Sequence, residues 1–103
     1  MYATSHANDR ASSRLYDAGL DTETIEMLTS TAEAFASKCG PFESVALRLK
    51  TLSYFVGNAW SDASNGDTVI AIVRGRMVQT YMLRRRSQPF DKNSLSVERV
   101  VTL

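Results

Sequence analysis

Apolar residues recur at helical spacing at the start of the chain. Ala7, Ala11 and Leu15 form one narrow stripe, with Ala18 beside it. Thr4 or Ser5 is a suitable N-cap, because a hydroxyl there can accept a hydrogen bond from a free backbone N–H. Gly19 should end the helix, since glycine readily adopts the left-handed conformation of a helix C-terminus. The pattern therefore predicts a first helix from about residue 5 to residue 18.

A second helical stripe follows directly. Its members are Ile25, Leu28, Ala32 and Phe35. Asp21 or Thr22 is placed to cap this helix, and Glu23 and Glu26 lie in its first turn, where the helix dipole favours acidic groups. Gly40 with Pro41 should end it. The sequence thus predicts two consecutive helices before residue 41.

The period of the pattern changes to two after residue 43. Alternating positions are Val45, Leu47 and Leu49 on one side and Ala46, Arg48 and Lys50 on the other. This alternation predicts a half-exposed strand over residues 44–52. A helix is the alternative there, because Leu, Ala, Arg and Lys all favour helices.

The pattern in the second half of the chain predicts a hairpin followed by one more strand. Residues 68–73 are continuously apolar after Thr68, which is typical of a central strand covered on both faces. Residues 74–76 form a tight reversal, residues 77–84 an antiparallel partner, and residues 96–102 a last strand. The fold class predicted is α+β, with two N-terminal helices packed on a three- to four-stranded antiparallel sheet. The predicted core contains Leu15, Leu28, Ala32, Phe35, Val69, Ile70, Ile72 and Val73.

Length and composition place the chain among small globular proteins. Its 103 residues correspond to a single domain, residues 1–103. Cys39 is the only cysteine, so no disulfide forms within the chain, and neither a metal site nor a cofactor is predicted. The N-terminus is polar, and no apolar run approaches the roughly 20 residues that span a bilayer. We expect a cytoplasmic protein that does not bind membranes, of unspecified oligomeric state.

The net charge of +1 conceals an asymmetry. Residues 1–67 contain 5 Lys and Arg against 9 Asp and Glu, whereas residues 68–103 contain 7 against 2. A basic C-terminal half can form a phosphate-binding face. Equally, acidic helices and a basic sheet can simply complement each other.

One polar stripe of the first helix carries candidate chemistry. His6, Arg10 and Arg14 recur every four residues and therefore share one face, beside the apolar stripe. His6 in the first turn is suited to accept a proton, because the helix dipole disfavours the imidazolium there. The other interpretation is a solvated helix flank with an incidental histidine.

The second hairpin strand carries a hydroxyl and a guanidinium on one face. Strand alternation places Val78, Thr80, Met82 and Arg84 on one side, and Gln79, Tyr81, Leu83 and Arg85 on the other. RNA cleavage by transesterification needs a base, an acid and cations that stabilise the charged phosphorane. Thr80 can position a phosphate and Arg84 can bind it, because guanidinium matches phosphate oxygens. Alternatively, Thr80 is merely a good strand former and residues 84–86 a solvated strand end.

Aromatic residues offer a further candidate feature. Tyr54, Trp60 and Tyr81 are of the type that stacks on unpaired bases, although core packing is the expectation for at least two of them. Cys39 lies beside a helix end without a histidine or acid at motif spacing, so it is expected to be a buried thiol rather than a nucleophile.

The order of these signals resembles small RelE-like proteins of phages and bacteria. The matching stretches are Ser5-His6-Ala7 with Arg10 and Arg14, then residues 68–75 and 78–81. The resemblance implies the barnase–EndoU–colicin–RelE type of fold, in which helices precede a four-stranded antiparallel sheet. Several members are metal-free ribonucleases, often toxins of mobile elements.

The resemblance implies roles for particular residues here. His6, Arg10, Thr80 and Arg84 are the positions that would inherit catalytic roles. Apart from the resemblance, the helix face adds Arg14, and the arginine cluster adds Arg85 and Arg86, as candidate substrate-binding residues. The expected function is a metal-independent ribonuclease-like activity, with RNA or a host or antitoxin protein as partner. The alternative is a non-catalytic, phage- or plasmid-encoded binding module that inhibits a host protein. The nearly neutral charge favours this alternative, since toxins of this type are usually strongly basic.

Overall fold

The described residues form two helices, a π-helical segment, a four-stranded sheet and a separate two-stranded sheet. The computed structural model describes residues 2–17, 19–49, 55–56, 59–60, 68–84 and 91–103. In chain order these form α1 (Ser5–Arg10), a π-helical segment (Ala11–Tyr16), α2 (Thr22–Ser37), β1 (Ser44–Leu49), β2 (Phe55–Val56), β3 (Ala59–Trp60), β4 (Thr68–Arg74), β5 (Met77–Arg84) and β6 (Arg99–Thr102). The α+β prediction is confirmed. No helix in these ranges has the length and apolar character needed to cross a membrane.

The first helix begins and ends as its sequence dictates but changes its winding in the middle. Thr4 is the N-cap, and its hydroxyl accepts a hydrogen bond from the Ala7 N–H at 3.1 Å. At the other end Gly19 has a φ of 96°, and the Leu20 N–H donates to the Leu15 carbonyl in the Schellman arrangement. Between them the helix widens to π-helical winding at residues 11–16. The periodicity did not predict this wider turn.

The second helix is capped by an aspartate. The Asp21 side chain accepts a hydrogen bond from the Thr24 N–H at 2.7 Å, which satisfies a backbone donor of the first turn. Its apolar face packs on the sheet through Ile25, Leu28, Ala32 and Ala36. After Ser37 the chain turns at residues 38–43 and enters β1.

The sheet has the strand order β5-β4-β1-β6. Strand β4 pairs antiparallel with both β1 and β5, as the hairpin pattern predicts. Strand β6, however, pairs parallel with β1, Val45 lying opposite Arg99. The prediction of an antiparallel sheet is therefore wrong for its last strand: the sheet is mixed.

The chain path explains the parallel strand. β5 and β1 both run antiparallel to β4, so β5 ends where β1 ends. β6 instead begins beside the start of β1, so the chain must cross the sheet again before it enters β6. The described part of this crossing, residues 91–98, packs Leu95 and Val97 against the sheet face opposite the helices. The last strand is predicted to begin at residue 96, whereas β6 begins at Arg99. Ser96 has a φ of 56°, which is not an extended conformation.

Apolar residues cover both faces of the sheet. The helices pack on one face, and Ala46, Ile70 and Ile72 meet Leu95 and Val97 on the other. Ala46 is buried, so β1 is not half-exposed as its alternation predicts. Of the eight predicted core residues, all are buried except Phe35, which is half-buried.

A bulge changes the alternation of β5. Ile72 lies opposite Thr80, whereas Val73 lies opposite Val78, so Gln79 is an extra residue in the ladder. Val78 and Tyr81 therefore both contribute to the helix-side core. The prediction that Val78 shares a face with Thr80 is corrected by this bulge.

An extended segment precedes the helices. The Val78 N–H donates to the Tyr2 carbonyl at 2.7 Å, and the Thr4 N–H donates to the Val78 carbonyl at 3.0 Å. Ala3 thereby forms a parallel bridge with Val78 at the outer edge of β5. The helices thus do not start the fold directly: a short strand-like segment anchors α1 to the edge of the sheet.

Candidate functional site at the β5 edge

The polar stripe of the first helix meets the hydroxyl-bearing strand at the edge of β5. The Arg14 Nη1 donates to the Tyr81 carbonyl at 2.9 Å. The Thr80 hydroxyl is 3.5 Å from the same oxygen and is oriented to donate to it. Residues from the two regions selected in the sequence thus share one backbone acceptor. We call the group His6, Arg10, Arg14 and Thr80 the β5 edge site.

The N-cap of α1 fixes the helix to the same strand. The Thr4 hydroxyl donates to the Gln79 carbonyl at 3.3 Å, next to Thr80, in addition to its capping contact with Ala7. Together with the bridge at Val78, this contact sets the position of α1 along β5. The N-terminus of α1 therefore lies beside Val78 and Gln79, near the start of β5.

His6 and Arg10 form a pair on the exposed side of α1. The Arg10 Nε donates to the His6 Nε2 at 3.4 Å. The contact places an imidazole nitrogen next to a guanidinium. His6 is exposed and Arg10 half-buried, which leaves both groups accessible from solvent. The arrangement combines a proton acceptor with a cation suited to a phosphate oxygen.

Thr80 and Arg84 lie on the sheet face opposite the helices. Thr80 is paired with Ile72 and Met82 with Ile70, both on the face covered by Leu95 and Val97. Arg84 follows two residues after Met82 and so shares that face. Its Nε is buried and has no hydrogen-bond partner among the described residues. Arg84 therefore offers an unused donor, at a distance along β5 from the histidine pair.

Tyr81 is a core residue rather than a stacking platform. Its side chain is buried with the helix-side cluster, and its hydroxyl has no partner within the described ranges. Burial, with a smaller contribution from the negative charge of Glu33, raises the pKa of Tyr81 well above its usual range. Tyr81 contributes to the site only through its backbone carbonyl. Tyr54 lies outside the described residues.

Cys39 is buried, as expected for a structural thiol. Its Sγ donates weakly to the Phe35 carbonyl at 3.6 Å. Burial, reinforced by the charge of Glu43, raises the pKa of the thiol, which keeps it protonated and poorly nucleophilic.

The structure brings together some of the sequence-predicted residues. His6 contacts Arg10, and Arg14 meets Thr80 at the Tyr81 carbonyl. Arg84 belongs to the same strand and lies four residues beyond Thr80. Arg85 and Arg86, the remaining predicted substrate-binding residues, lie outside the described residues.

Within the described ranges, no group of three or more His, Cys, Asp or Glu side chains could hold a metal ion.

Sequence reasoning missed Phe42, whose side chain is 92% exposed at the turn before β1. A single aromatic residue in a turn gives no periodic signal, so only the structure reveals its exposure.

A scan against protein-family models and searches of the curated proteins and of the solved structures found no match to this chain.

Proposed function

We propose that the chain is a metal-independent endoribonuclease whose site lies at the β5 edge. The observation that supports this proposal most directly is the meeting of Arg14 and Thr80 at the Tyr81 carbonyl. It places the histidine-bearing helix beside the strand that carries the hydroxyl. In the absence of a metal, RNA transesterification requires a base, an acid and cations. In this proposal His6 supplies the base, Arg10 the cation and water the acid.

In the proposed reaction His6 is the general base. Its Nε2 exchanges the long hydrogen bond from Arg10 for the ribose 2′-hydroxyl and removes that proton. The 2′-oxygen forms a bond to the adjacent phosphorus, and the bond from phosphorus to the 5′-oxygen breaks. The leaving 5′-oxygen takes a proton from a water molecule, and the hydroxide that remains takes the proton from His6, which restores the base. The products are a 2′,3′-cyclic phosphate and a 5′-hydroxyl, so atoms and charge balance without an oxidant or metal.

The remaining residues stabilise and orient the phosphate. Arg10, freed from His6, can donate to a non-bridging oxygen, where negative charge increases in the transition state. Thr80 holds its hydroxyl at the strand edge and can orient the phosphate by one hydrogen bond. Arg14 positions the helix against the strand, since one of its N–H groups is committed to the Tyr81 carbonyl. Arg84, four residues beyond Thr80, would bind a second phosphate further along β5 through its guanidinium.

The test is cleavage of end-labelled single-stranded RNA by purified protein in excess EDTA. Wild type should cleave and leave a cyclic phosphate, and a 2′-deoxy substitution at the cleaved position should block the reaction there. We expect His6→Ala and Arg10→Ala to reduce the rate by about 10²- to 10⁴-fold, the range that general acid–base catalysis contributes. Lys92→Ala, which removes an exposed positive charge elsewhere, is the matched control and should cleave normally. No cleavage by wild type, or equal cleavage by His6→Ala, contradicts the proposal.

The second candidate is a non-catalytic module that binds and inhibits a host protein. It is favoured by the surroundings of His6, whose one hydrogen bond within the described ranges comes from Arg10 rather than from an orienting carboxylate. Expression in cells without an antidote separates the two. A ribonuclease should arrest growth in a manner that His6→Ala relieves. An inhibitor should instead co-purify with one stoichiometric protein and retain that complex in the His6→Ala variant.

A further inference from the structure

The turn that precedes β1 presents an exposed aromatic side chain among guanidinium groups. Phe42 is 92% exposed, the most exposed large apolar residue of the described chain. Arg74, Arg76 and Arg99 are also exposed and surround the same turn. We call Phe42 with these three arginines the Phe42 corner. It lies at the end of the sheet where β1 and β6 begin and where β4 turns into β5.

Hydrogen bonds from the adjacent hairpin hold this turn in place. The Gly75 N–H donates to the Glu43 carbonyl at 2.7 Å, and the Arg76 Nε donates to the Cys39 carbonyl at 3.1 Å. Gly75 has a φ of 65°, and a Cβ there would come within 3.1 Å of the Pro41 carbonyl, so the close contact requires glycine. Phe42 is therefore displayed on a backbone anchored on both sides. Because this backbone is already held in place, binding at Phe42 does not require the turn to become ordered.

The arginines of the corner retain donors for a ligand. The Arg74 Nη2 donates to the Ser96 carbonyl at 3.3 Å, and Arg99 pairs with Glu43 at 3.0 Å across half-exposed side chains. Each guanidinium has five N–H donors, so these contacts leave most of them for other acceptors. Three arginines against Glu43 and Glu98, whose backbone N–H donates to the Ser44 carbonyl at 3.1 Å, leave the corner with a small positive balance. Such a surface favours a polyanion.

We infer that the Phe42 corner binds single-stranded RNA, with a base stacked on Phe42 and phosphates held by Arg74 and Arg76. An exposed aromatic side chain beside a cationic surface is the combination used by single-strand binding sites, because every base offers a face for stacking. In a duplex the bases are already stacked inside, so the corner should discriminate against double strands. The inference rests on the proposed function for the choice of RNA as the physiological strand.

The position of the corner suits a substrate that also reaches the β5 edge site. Arg76 directly precedes β5, and Thr80 lies four residues further along the same strand. At about 3.3 Å per residue, these backbone positions are separated by roughly 13 Å. A short oligonucleotide can span this distance. The corner would then determine which strand enters and how it is oriented, while the chemistry takes place at His6.

The experiment measures binding alone. The probe is a fluorescein-labelled 2′-O-methyl oligouridine nonamer, which cannot be cleaved by attack of a 2′-hydroxyl, and the readout is fluorescence anisotropy. Phe42→Ala should weaken binding about tenfold, and Phe42→Trp should preserve it, because stacking on an aromatic face supplies the affinity. Arg74→Ala and Arg76→Ala should each reduce the slope of log affinity against log salt by about 0.7. Met27→Ala and Lys92→Ala are the matched controls for loss of an exposed apolar side chain and of a positive charge.

The outcomes separate this inference from the proposed activity. If nonamer binding depends on Phe42 but the protein cleaves no RNA, the inference about the Phe42 corner is supported and the proposed ribonuclease activity is rejected. If the protein cleaves RNA but Phe42→Ala leaves nonamer binding unchanged, the inference about the Phe42 corner is rejected and the proposed ribonuclease activity is supported. Equal affinity for a duplex of the same length overturns the inference. An oligoglutamate peptide whose binding depends on Phe42, while the nonamer's does not, also overturns it and makes the corner a site for an acidic protein.

Discussion

Arg14 and Thr80 donate to the same backbone oxygen, the carbonyl of Tyr81, at 2.9 and 3.5 Å. This oxygen belongs to the outermost strand of the sheet, β5. An edge strand exposes backbone groups that would otherwise pair with another chain. The contact therefore closes part of the edge and fixes the histidine-bearing helix beside it.

Replacing Arg14 should lower the stability of the fold. Arg14→Ala removes a charge-assisted hydrogen bond from a half-buried side chain, which we expect to cost about 1.5 kcal/mol in the free energy of unfolding. Urea denaturation followed by circular dichroism measures this loss. Lys92→Ala, an exposed position, should stay within about 0.5 kcal/mol of wild type. Equal stabilities of the two variants would show that the edge contact contributes nothing.

Removing the Tyr81 hydroxyl should stabilise the protein. The hydroxyl is buried without a hydrogen-bond partner in the described part of the chain, and a buried unpaired polar group costs about 1–3 kcal/mol. Tyr81→Phe keeps the ring and the backbone carbonyl that receives Arg14. We expect the free energy of unfolding to rise by about 1 kcal/mol, measured in the same urea titration. A loss of that size would instead indicate that the hydroxyl is hydrogen-bonded.

The far face of the sheet should be as important as the helix face. Ile72 is 5% exposed and packs with Leu95 and Val97, so Ile72→Ala should cost about 2–5 kcal/mol. Met27→Ala, on the exposed side of α2, is the control and should cost much less. A loss well under 1 kcal/mol at Ile72 would contradict the packing of residues 91–98 on this face.

The sequence predicted the helices and the hairpin because these depend on local periodicity. Gly19, Asp21 and the β-branched run of β4 each encode their own conformation, and all three behave as expected. The parallel pairing of β6 depends instead on how the chain returns across the sheet, which no local pattern records. The bulge at Gln79 is similar, because it is defined only by the partner strand.

The candidate site shows the same division. Spacing of four placed His6, Arg10 and Arg14 on one helix face, and the contacts of Arg10 and Arg14 follow from that face. The spacing did not predict the bridge from Ala3 to Val78 that brings the helix to the strand edge. The spacing also did not predict that Phe42 is exposed, because the exposure of one turn residue depends on what surrounds it in space.

Acid should weaken the start of α2. The hydrogen bonds from Thr24 hold the pKa of the Asp21 carboxyl below its ordinary value of 3.8. The unfolded chain therefore binds more protons at low pH, so this contribution to stability is complete above pH 3.8 and is lost as the pH falls through the lower pKa of the folded state. Asn also caps helices but does not titrate, so Asp21→Asn should show a smaller fall in the urea midpoint between about pH 5 and pH 2.5. An identical fall in both proteins would contradict this role.

Arg84 tests whether the sheet face beside Thr80 binds phosphate. Its side chain is half-buried at the end of β5, and a guanidinium matches phosphate oxygens in geometry and charge. Arg84→Ala should weaken binding of the uncleavable nonamer and lower the slope of log affinity against log salt by about 0.7, the share of one phosphate contact. Arg84→Lys retains the charge and should keep most of the slope while losing affinity, because a lysine cannot reproduce the guanidinium fork.

The neighbouring arginine supplies the comparison for Arg84. Strand alternation predicts that Arg85 projects to the opposite face, away from Thr80, so Arg85→Ala should change affinity and salt slope less than Arg84→Ala. Both variants remove one positive charge from adjacent positions, so a general loss of attraction would affect them equally. Equal effects of the two variants would therefore contradict the prediction that Arg84 binds phosphate from the face that it shares with Thr80. An Arg84→Ala variant with unchanged affinity and slope would show that the end of β5 is a solvated strand terminus.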